Sequence, residues 1–303
     1  MPELPDITVY LESLERFVVG RPLLALRIFG PSVLKSFDPP VSALQGRRIT
    51  GVERIGKRIV FAFEDELFLI LHLMIAGRLH WKKAGAAANR KTSLAAFDFA
   101  HGTLMLTEAS PKKRASVWVV AGRDALTKHD PGGLEVLGTE LAEFARVLRG
   151  ENHTLKRALT DPRLFSGIGN AYSDEILHRA RLSPLRLTQK LDDAEVERLH
   201  AATVETLAQW TERLRRQTGE KFPEKVTAFR PEMAVHGKAG EPCPVCGAKV
   251  CRIAYADNET NYCAVCQNEG RLLADRALSR LLHEDWPRTL TELEERVEKL
   301  RKP

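Results

Sequence analysis

No apolar run in the chain reaches the roughly 18 residues that a membrane-spanning helix needs. The N-terminal stretch also lacks the basic, apolar and small-residue zones of a secretory signal, so the expectation is a cytoplasmic protein without a membrane role. Internal repeats and low-complexity tracts are missing, which excludes solenoids and compositional linkers. Cysteine is scarce, with five in 303 residues, all between 243 and 266, and four of the five form two C-x2-C pairs. In a cytoplasmic chain such a cluster points to metal before disulfides. The balance is ordinary for a folded protein: 44% hydrophobic and 28% charged, with a net charge of +6 that favours a polyanionic partner without establishing one. At this length two domains and a small module are expected rather than one core.

Along the chain, an apolar stripe at Ile7, Tyr10, Leu11, Leu14, Phe17 and Val18 has the spacing of one helical face and stops at Gly20. Short β-rich runs follow at Leu23–Ile28, Arg48–Arg54, Arg58–Phe63, Leu67–Leu73, Gly77–Trp81, Leu94–Phe99, Thr103–Leu106 and Ser116–Val120, which suggests a β-sandwich. The division expected is a sandwich domain over 1–121 and a turn-rich connection over 122–150, then a helical domain over 151–234. A strand pair around the cysteines over 235–267 and a helical extension over 268–303 complete it. Helices are expected at Asn152–Leu159, Asn170–Arg181, Asp192–Gln217 and Leu272–Leu282. The fold class is α+β.

Cys243 and Cys246, sixteen intervening residues, then Cys263 and Cys266 form two C-x2-C pairs. Together they can supply four thiolates to one tetrahedral Zn2+, a closed structural site. Cys251 lies outside the pattern and fits a small packed side chain better than a fifth ligand.

At the other end, Pro2-Glu3-Leu4-Pro5-Asp6 is readable as a plain helix start. It has a second reading. A proline behind an initiator methionine is expected to become the true N-terminus, and an α-amino group has a pKa of about 8 against about 10.4 for lysine. The positive end of the next helix favours its neutral, nucleophilic form further, and Glu3 stands beside it to pass protons. The glycines of Ser166-Gly167-Ile168-Gly169-Asn170 allow a tight turn at a helix start, with Asn170 as the expected cap. Such a turn is either an ordinary helix connection or a phosphate site, to which Lys156 can add charge.

These features, in this order, resemble the formamidopyrimidine-DNA glycosylase and endonuclease VIII family over nearly all of residues 1–267. The matching segments are PELPD at 2–6, GKRIVF at 56–61, LHLMIAG at 71–77, GIGNAYSDEIL at 167–177, VHGKAGEPCPVC at 235–246 and YCAVCQ at 262–267. The resemblance implies an N-terminal β-sandwich with an N-terminal helix, a helix-two-turns-helix domain and a β-hairpin zinc finger with one structural Zn2+. It also implies a monomer, brought to the nucleoid by damaged DNA bound between the domains. The implied activity is base excision with associated abasic-site lyase chemistry. Pro2 would be the nucleophile, Glu3 the acid that helps open the deoxyribose ring, and Lys57 the lysine that meets a phosphate beside the lesion. Lys57 is otherwise a solvated strand-end charge. Lys156, Gly167, Gly169 and Asn170 would hold phosphates from the helical domain. His72 would do so from the sandwich, or is a satisfied core histidine.

Two departures stand out. The finger arginine expected five residues before the third cysteine is Asn258 here. The methionine, arginine and phenylalanine with which the 8-oxoguanine branch fills the flipped nucleotide's place are replaced by Ile75, Lys112 and Arg114. Met74-Ile75 can instead form an apolar plug of the endonuclease VIII kind. Lys112-Lys113-Arg114 then holds backbone, or is only a solvated turn. A damaged-DNA binding protein without chemistry is the alternative reading.

Overall fold

The computed structural model describes residues 1–255, 258–274 and 287–301. Helix α1 (Leu4–Val18) begins at the capping residue Glu3 and buries Ile7, Tyr10, Leu14 and Val18, the expected stripe. It ends where Gly20 takes φ 77° and donates its N–H to Ile49 O at 2.8 Å, so the chain leaves the helix into the sheet.

Eight antiparallel strands follow. They are β1 (Ala25–Ile28), β2 (Ile49–Ile55), β3 (Arg58–Phe63), β4 (Leu67–His72), β5 (Gly77–Lys82), β6 (Ser93–Phe99), β7 (Gly102–Glu108) and β8 (Ser116–Ala121). They form two four-stranded sheets, ordered β1-β6-β7-β5 and β2-β3-β4-β8. Ile59, Phe61, Leu69 and Leu71 of one sheet share a core with Phe97, Leu104 and Leu106 of the other, and α1 packs into the same core. The sandwich is therefore borne out.

The stretch 122–150, expected as a connection, carries α2 (Arg123–Thr127) and α3 (Leu141–Gly150), with Phe144 and Leu148 of α3 fully buried. The helical part continues with α4 (Leu155–Thr160), α5 (Asn170–Ala180) and α6 (Asp193–Thr218). Two compact units result: residues 1–133 with 208–228, and residues 134–207 with 229 onward. The segment after α6 belongs to the sandwich unit because Phe222 and Val226 join its core, Phe222 lying 5.9 Å from the Tyr10 ring and 5.7 Å from that of Phe17.

In the second unit β9 (Val250–Ala254) and β10 (Glu259–Cys263) make the expected hairpin, followed by the short α7 (Ala264–Asn268). Of the helix expected over Leu272–Leu282, residues 275–282 lie outside the described residues. A C-terminal helix, Leu290–Arg301, is present, and its Glu294 pairs with Lys249 at 3.0 Å.

Candidate active site and metal centre

Glu3 caps α1, and Asp6 closes a reciprocal capping box: Asp6 Oδ2 accepts the Glu3 backbone N–H at 3.0 Å while the Glu3 carboxylate faces the Asp6 N–H. Pro2 is buried, and Glu3 is only 2% exposed. The Met1 amine ahead of them has its pKa lowered from 8.0, chiefly by burial; Glu3 and Asp6 oppose the shift, and Arg78 and Lys57 add to it. An amine at this end thus stands among two cations and two carboxylates, in surroundings that favour the neutral form.

Lys57 reaches this neighbourhood from the two-residue turn between β2 and β3. Gly56 takes φ 58°, which suits the first centre position of a tight hairpin, and Ile55 pairs with Arg58 across it. His72 lies opposite Arg58 on β4. Its pKa is lowered to about 4, by burial first and then by Arg58 and Lys57, so the ring is neutral at physiological pH.

The next loop is shaped to present one side chain. Gly77 donates its N–H to Leu73 O at 2.8 Å, and a Cβ at 77 would meet that oxygen at 2.3 Å, so only glycine closes the turn. Met74 accepts φ 51°, and Ile75 projects with 52% exposure. Arg78 braces the loop by donating to Ile75 O at 3.1 Å, to Gly77 O at 2.6 Å and to Val226 O. Its part in the site was not read from the sequence, where an arginine at a strand start carries no distinguishing pattern.

The basic run between β7 and β8 divides. Buried Glu108 accepts the N–H groups of Arg114 and Ala115 at 2.8 and 2.9 Å, which folds the loop back. Lys113 donates to Lys91 O at 3.0 Å and to Glu108 O, whereas Lys112 and Arg114 are exposed.

In the second unit Gly167, at φ 80°, turns the chain into α5. The helix cap is Gly169, not the expected Asn170, which is already the first helical residue and so lacks the extended backbone a cap requires. Lys156 bonds to Asn170 O and to Asp174 Oδ1, both at 2.6 Å, leaving one of its three N–H donors for other use. Asp174 Oδ2 also meets His236 Nδ1 at 2.8 Å. Glu175 accepts three successive N–H groups, from Ala234 at 2.8 Å and from Val235 and His236 at 2.9 Å, which ties the start of the finger to α5. These two buried acids lie inside the segment GIGNAYSDEIL, but nothing in their spacing revealed their partners.

The Sγ atoms of Cys243, Cys246, Cys263 and Cys266 all lie within 4.8 Å of one another. Zn–S bonds of about 2.3 Å in a tetrahedron put sulfurs about 3.8 Å apart. The Cys243–Cys266 and Cys246–Cys263 separations of 3.9 and 3.4 Å match this and are far from a disulfide bond. The four residues fit one structural Zn2+. Cys251 is half-buried outside the group, its thiol pKa raised by burial. His178, from α5, brings Nε2 to 3.2 Å from Cys243 Sγ. Asn258 is exposed beside the finger tip, its carbonyl accepting the Tyr255 N–H at 2.7 Å.

Comparison with known proteins bears on the whole of this arrangement. The pattern of the formamidopyrimidine-DNA glycosylase N-terminal domain matches residues 1–116, and that of the formamidopyrimidine-DNA glycosylase H2TH domain matches residues 135–219. A formamidopyrimidine-DNA glycosylase of Exiguobacterium sibiricum is 30% identical over 281 residues, covering 88% of this chain and 99% of its own. The solved structure of wild-type Lactococcus lactis Fpg (MutM) with DNA containing an oxidized pyrimidine superposes with a TM-score of 0.77 at 27% identity. That match covers 88% of this chain and all of the other. A complex of Lactococcus lactis Fpg with DNA containing an abasic site gives 0.76 at 26% identity, over 88% and 99% of the two chains.

Proposed function

The chain belongs to the formamidopyrimidine-DNA glycosylase family, and from that premise we propose that Pro2, once Met1 is removed, is the nucleophile with which it excises damaged bases. The protein is a base-excision repair DNA glycosylase acting on damaged DNA, of a family in which abasic-site lyase activity through a Schiff base is typical. The observation that carries the assignment of Pro2 is the site around the N-terminal amine, where burial and the charges of Arg78 and Lys57 favour the neutral form.

The target nucleotide must leave the stack before attack, at a cost of a few kcal/mol that is least for damaged or mispaired bases. Neutral Pro2 nitrogen then attacks C1′ of the deoxyribose. The damaged base departs with the electron pair of the glycosidic bond, and Glu3 gives a proton to the ring oxygen as the sugar opens. Loss of the amine proton leaves an iminium between Pro2 and C1′. The iminium acidifies the C2′ proton, so its removal expels the 3′ phosphate as the C3′–O bond breaks, and hydrolysis releases Pro2.

Lys57 and His72 line this end of the sandwich, and we assign Lys57 to a phosphate beside the lesion. His72, being neutral, can only donate a hydrogen bond there. Met74 sets the turn that holds Ile75 out as the wedge. Lys112 and Arg114 meet backbone, while Lys113 shapes their loop. Gly167, Gly169, Asn170 and the remaining donor of Lys156 take phosphate at the start of α5, and Asn258 makes a weaker contact from the finger. Zn2+ takes no chemical step; it holds the hairpin.

The test is borohydride trapping on abasic-site DNA, since hydride reduces an iminium to a stable amine linkage. The expected result is a covalent complex that falls at least about 100-fold when a tag blocks the Pro2 nitrogen, the scale of losing a nucleophile. Undiminished trapping by the blocked protein would overturn Pro2. No trapping by the unblocked protein, with DNA binding intact, would favour a non-catalytic damaged-DNA binder, a reading that rests on Asn258 and on Ile75, Lys112 and Arg114 in place of the usual trio.

A further inference from the structure

Two of the zinc cysteines are met by backbone: Cys246 by the N–H of Ala248, and Cys263 Sγ by the N–H of Cys266 at 3.4 Å. Cys243 differs. Its sulfur faces the imidazole of His178 at 3.2 Å, and both residues are buried, at 2% and 5% exposure. His178 stands in the last turn of α5, the helix that also carries Asp174 and Glu175.

We propose that His178 is a positioning residue of the metal centre, donating Nε2–H to the Cys243 thiolate and so joining the zinc site to the helix that begins at the Gly167–Asn170 turn. Four thiolates around one Zn2+ leave a net charge of about −2, and at the buried Cys243 sulfur an N–H donor spreads part of it. The geometry does not depend on the charge of the ring. A cationic imidazole carries hydrogen on both nitrogens, and in a neutral one the thiolate selects the tautomer with hydrogen on Nε2, since the other would set two lone pairs against each other. His178 is not a fifth ligand, because the four cysteines already complete a tetrahedron. The consequence is that metal affinity and the seating of α5 are linked through one bond, in addition to the three N–H groups that Glu175 accepts. This inference is independent of the role assigned to Pro2.

The test compares the full chain with His178→Phe, which fills the space without a donor, and His178→Gln, whose amide N–H reaches the same place. Zinc is titrated against a chromogenic chelator. Co2+ is then exchanged into the site so that the sulfur-to-metal charge-transfer band reports on the thiolate while the d–d bands report on the four-sulfur tetrahedron. His178→Phe is expected to bind zinc 10- to 100-fold more weakly, roughly the cost of removing such an outer-sphere partner. Its charge-transfer band should move to lower energy with the d–d pattern kept, and His178→Gln should restore both. If His178→Phe does not fold, His178→Met serves as the variant without a donor. Wild-type zinc affinity in the variant lacking the donor, or a His178→Gln protein as weak as it with an unmoved cobalt band, would overturn the proposal and leave His178 as packing alone.

Discussion

In the sandwich the apolar core is continuous, running from Ile7 and Tyr10 of α1 through Phe61, Leu69, Phe97 and Leu106 to Phe222. Around the cysteines it breaks into two small clusters, one of Val235, Cys243, Val250 and Cys263 and the other of Ile253, Tyr262 and Ala264. A module this small cannot bury enough apolar surface to fix its own backbone. It relies instead on groups with directional bonds: four thiolates placed for one metal ion, and buried carboxylates that each collect several donors. The sandwich is held by apolar area, whereas beside the finger the buried Asp174, Glu175 and His178 all bond to it.

The sharpest way to break this contrast is to remove the metal. Structural zinc contributes on the order of 10–16 kcal/mol in finger peptides at neutral pH, more than the small clusters can replace. Chelation or Cys246→Ser should take the metal content from one per chain to none and abolish tight DNA binding. The unfolding transition of the sandwich, followed by its tryptophans Trp81 and Trp118, should stay within a few degrees. Unfolding of both parts together on chelation would show that the sandwich is not self-sufficient.

A smaller effect is expected from Glu175→Gln. The Ala234 N–H goes to one Glu175 oxygen and the Val235 and His236 N–H groups to the other, so replacing one oxygen by NH2 sets a donor against one or two of them, at a cost of about 2–4 kcal/mol. Hydrogen exchange at those amides should rise accordingly, while exchange in β3 and β4 is unchanged. Equal protection in variant and wild type would mean that the finger is held by the metal alone.

How much of this was legible depended on the kind of signal. The short β-rich run Arg58–Phe63 matches β3 to the residue, and the paired cysteines declared their site by spacing alone. Helix α3 was hidden because Phe144 and Leu148 form too brief a stripe to outweigh the turn signals of Asp130-Pro131-Gly132-Gly133. The return of Phe222 to the sandwich core could not be read, since long-range packing leaves no local period. Asp174 and Glu175 look like solvated helix charges until Lys156, His236 and the 234–236 backbone are seen around them. Lys156 itself was legible as a nearby charge but not as half of a buried pair.

On the sandwich side, His72 gives a pH signature. Its ring is held at about 4 in the folded state, by burial first, against about 6.5 when unfolded. Above pH 6.5 both states are neutral and stability does not change through this group. Between pH 6.5 and 4 the unfolded chain takes up a proton that the folded chain refuses, so stability falls as pH falls, by at most about 1.4 kcal/mol per unit. Urea midpoints at pH 7, 6 and 5 should therefore decline more steeply in wild type than in His72→Gln. Parallel declines would show that His72 titrates normally and is not enclosed.

The smallest expected effect tests both regions at once, because on the proposed reading each lacks a residue that would contact DNA. Extruding a stacked, well-paired 8-oxoguanine needs a group to fill the vacated space and hold the opposite base. Here the sandwich offers Ile75 alone at its loop tip, with Lys112 and Arg114 where the 8-oxoguanine branch has an arginine and a phenylalanine. On the finger side Asn258 stands where the proposed reading places an arginine's charge-assisted phosphate contact, worth about 1.5–3 kcal/mol on the general scale for such bonds. Both changes raise the cost of opening intact duplex and neither affects a site already open. Single-turnover cleavage should therefore be several-fold faster on abasic sites, oxidised pyrimidines and lesions in bubbles or single strands than on 8-oxoguanine opposite cytosine. The comparison must be made at one salt concentration, because backbone contacts are strongly screened. Asn258→Arg should narrow the gap by restoring the finger contact, and Ile75→Ala should widen it by removing the wedge. A tenfold or greater preference for 8-oxoguanine in duplex DNA would mean that Ile75 and the basic loop fill the vacated space as well as the missing residues do.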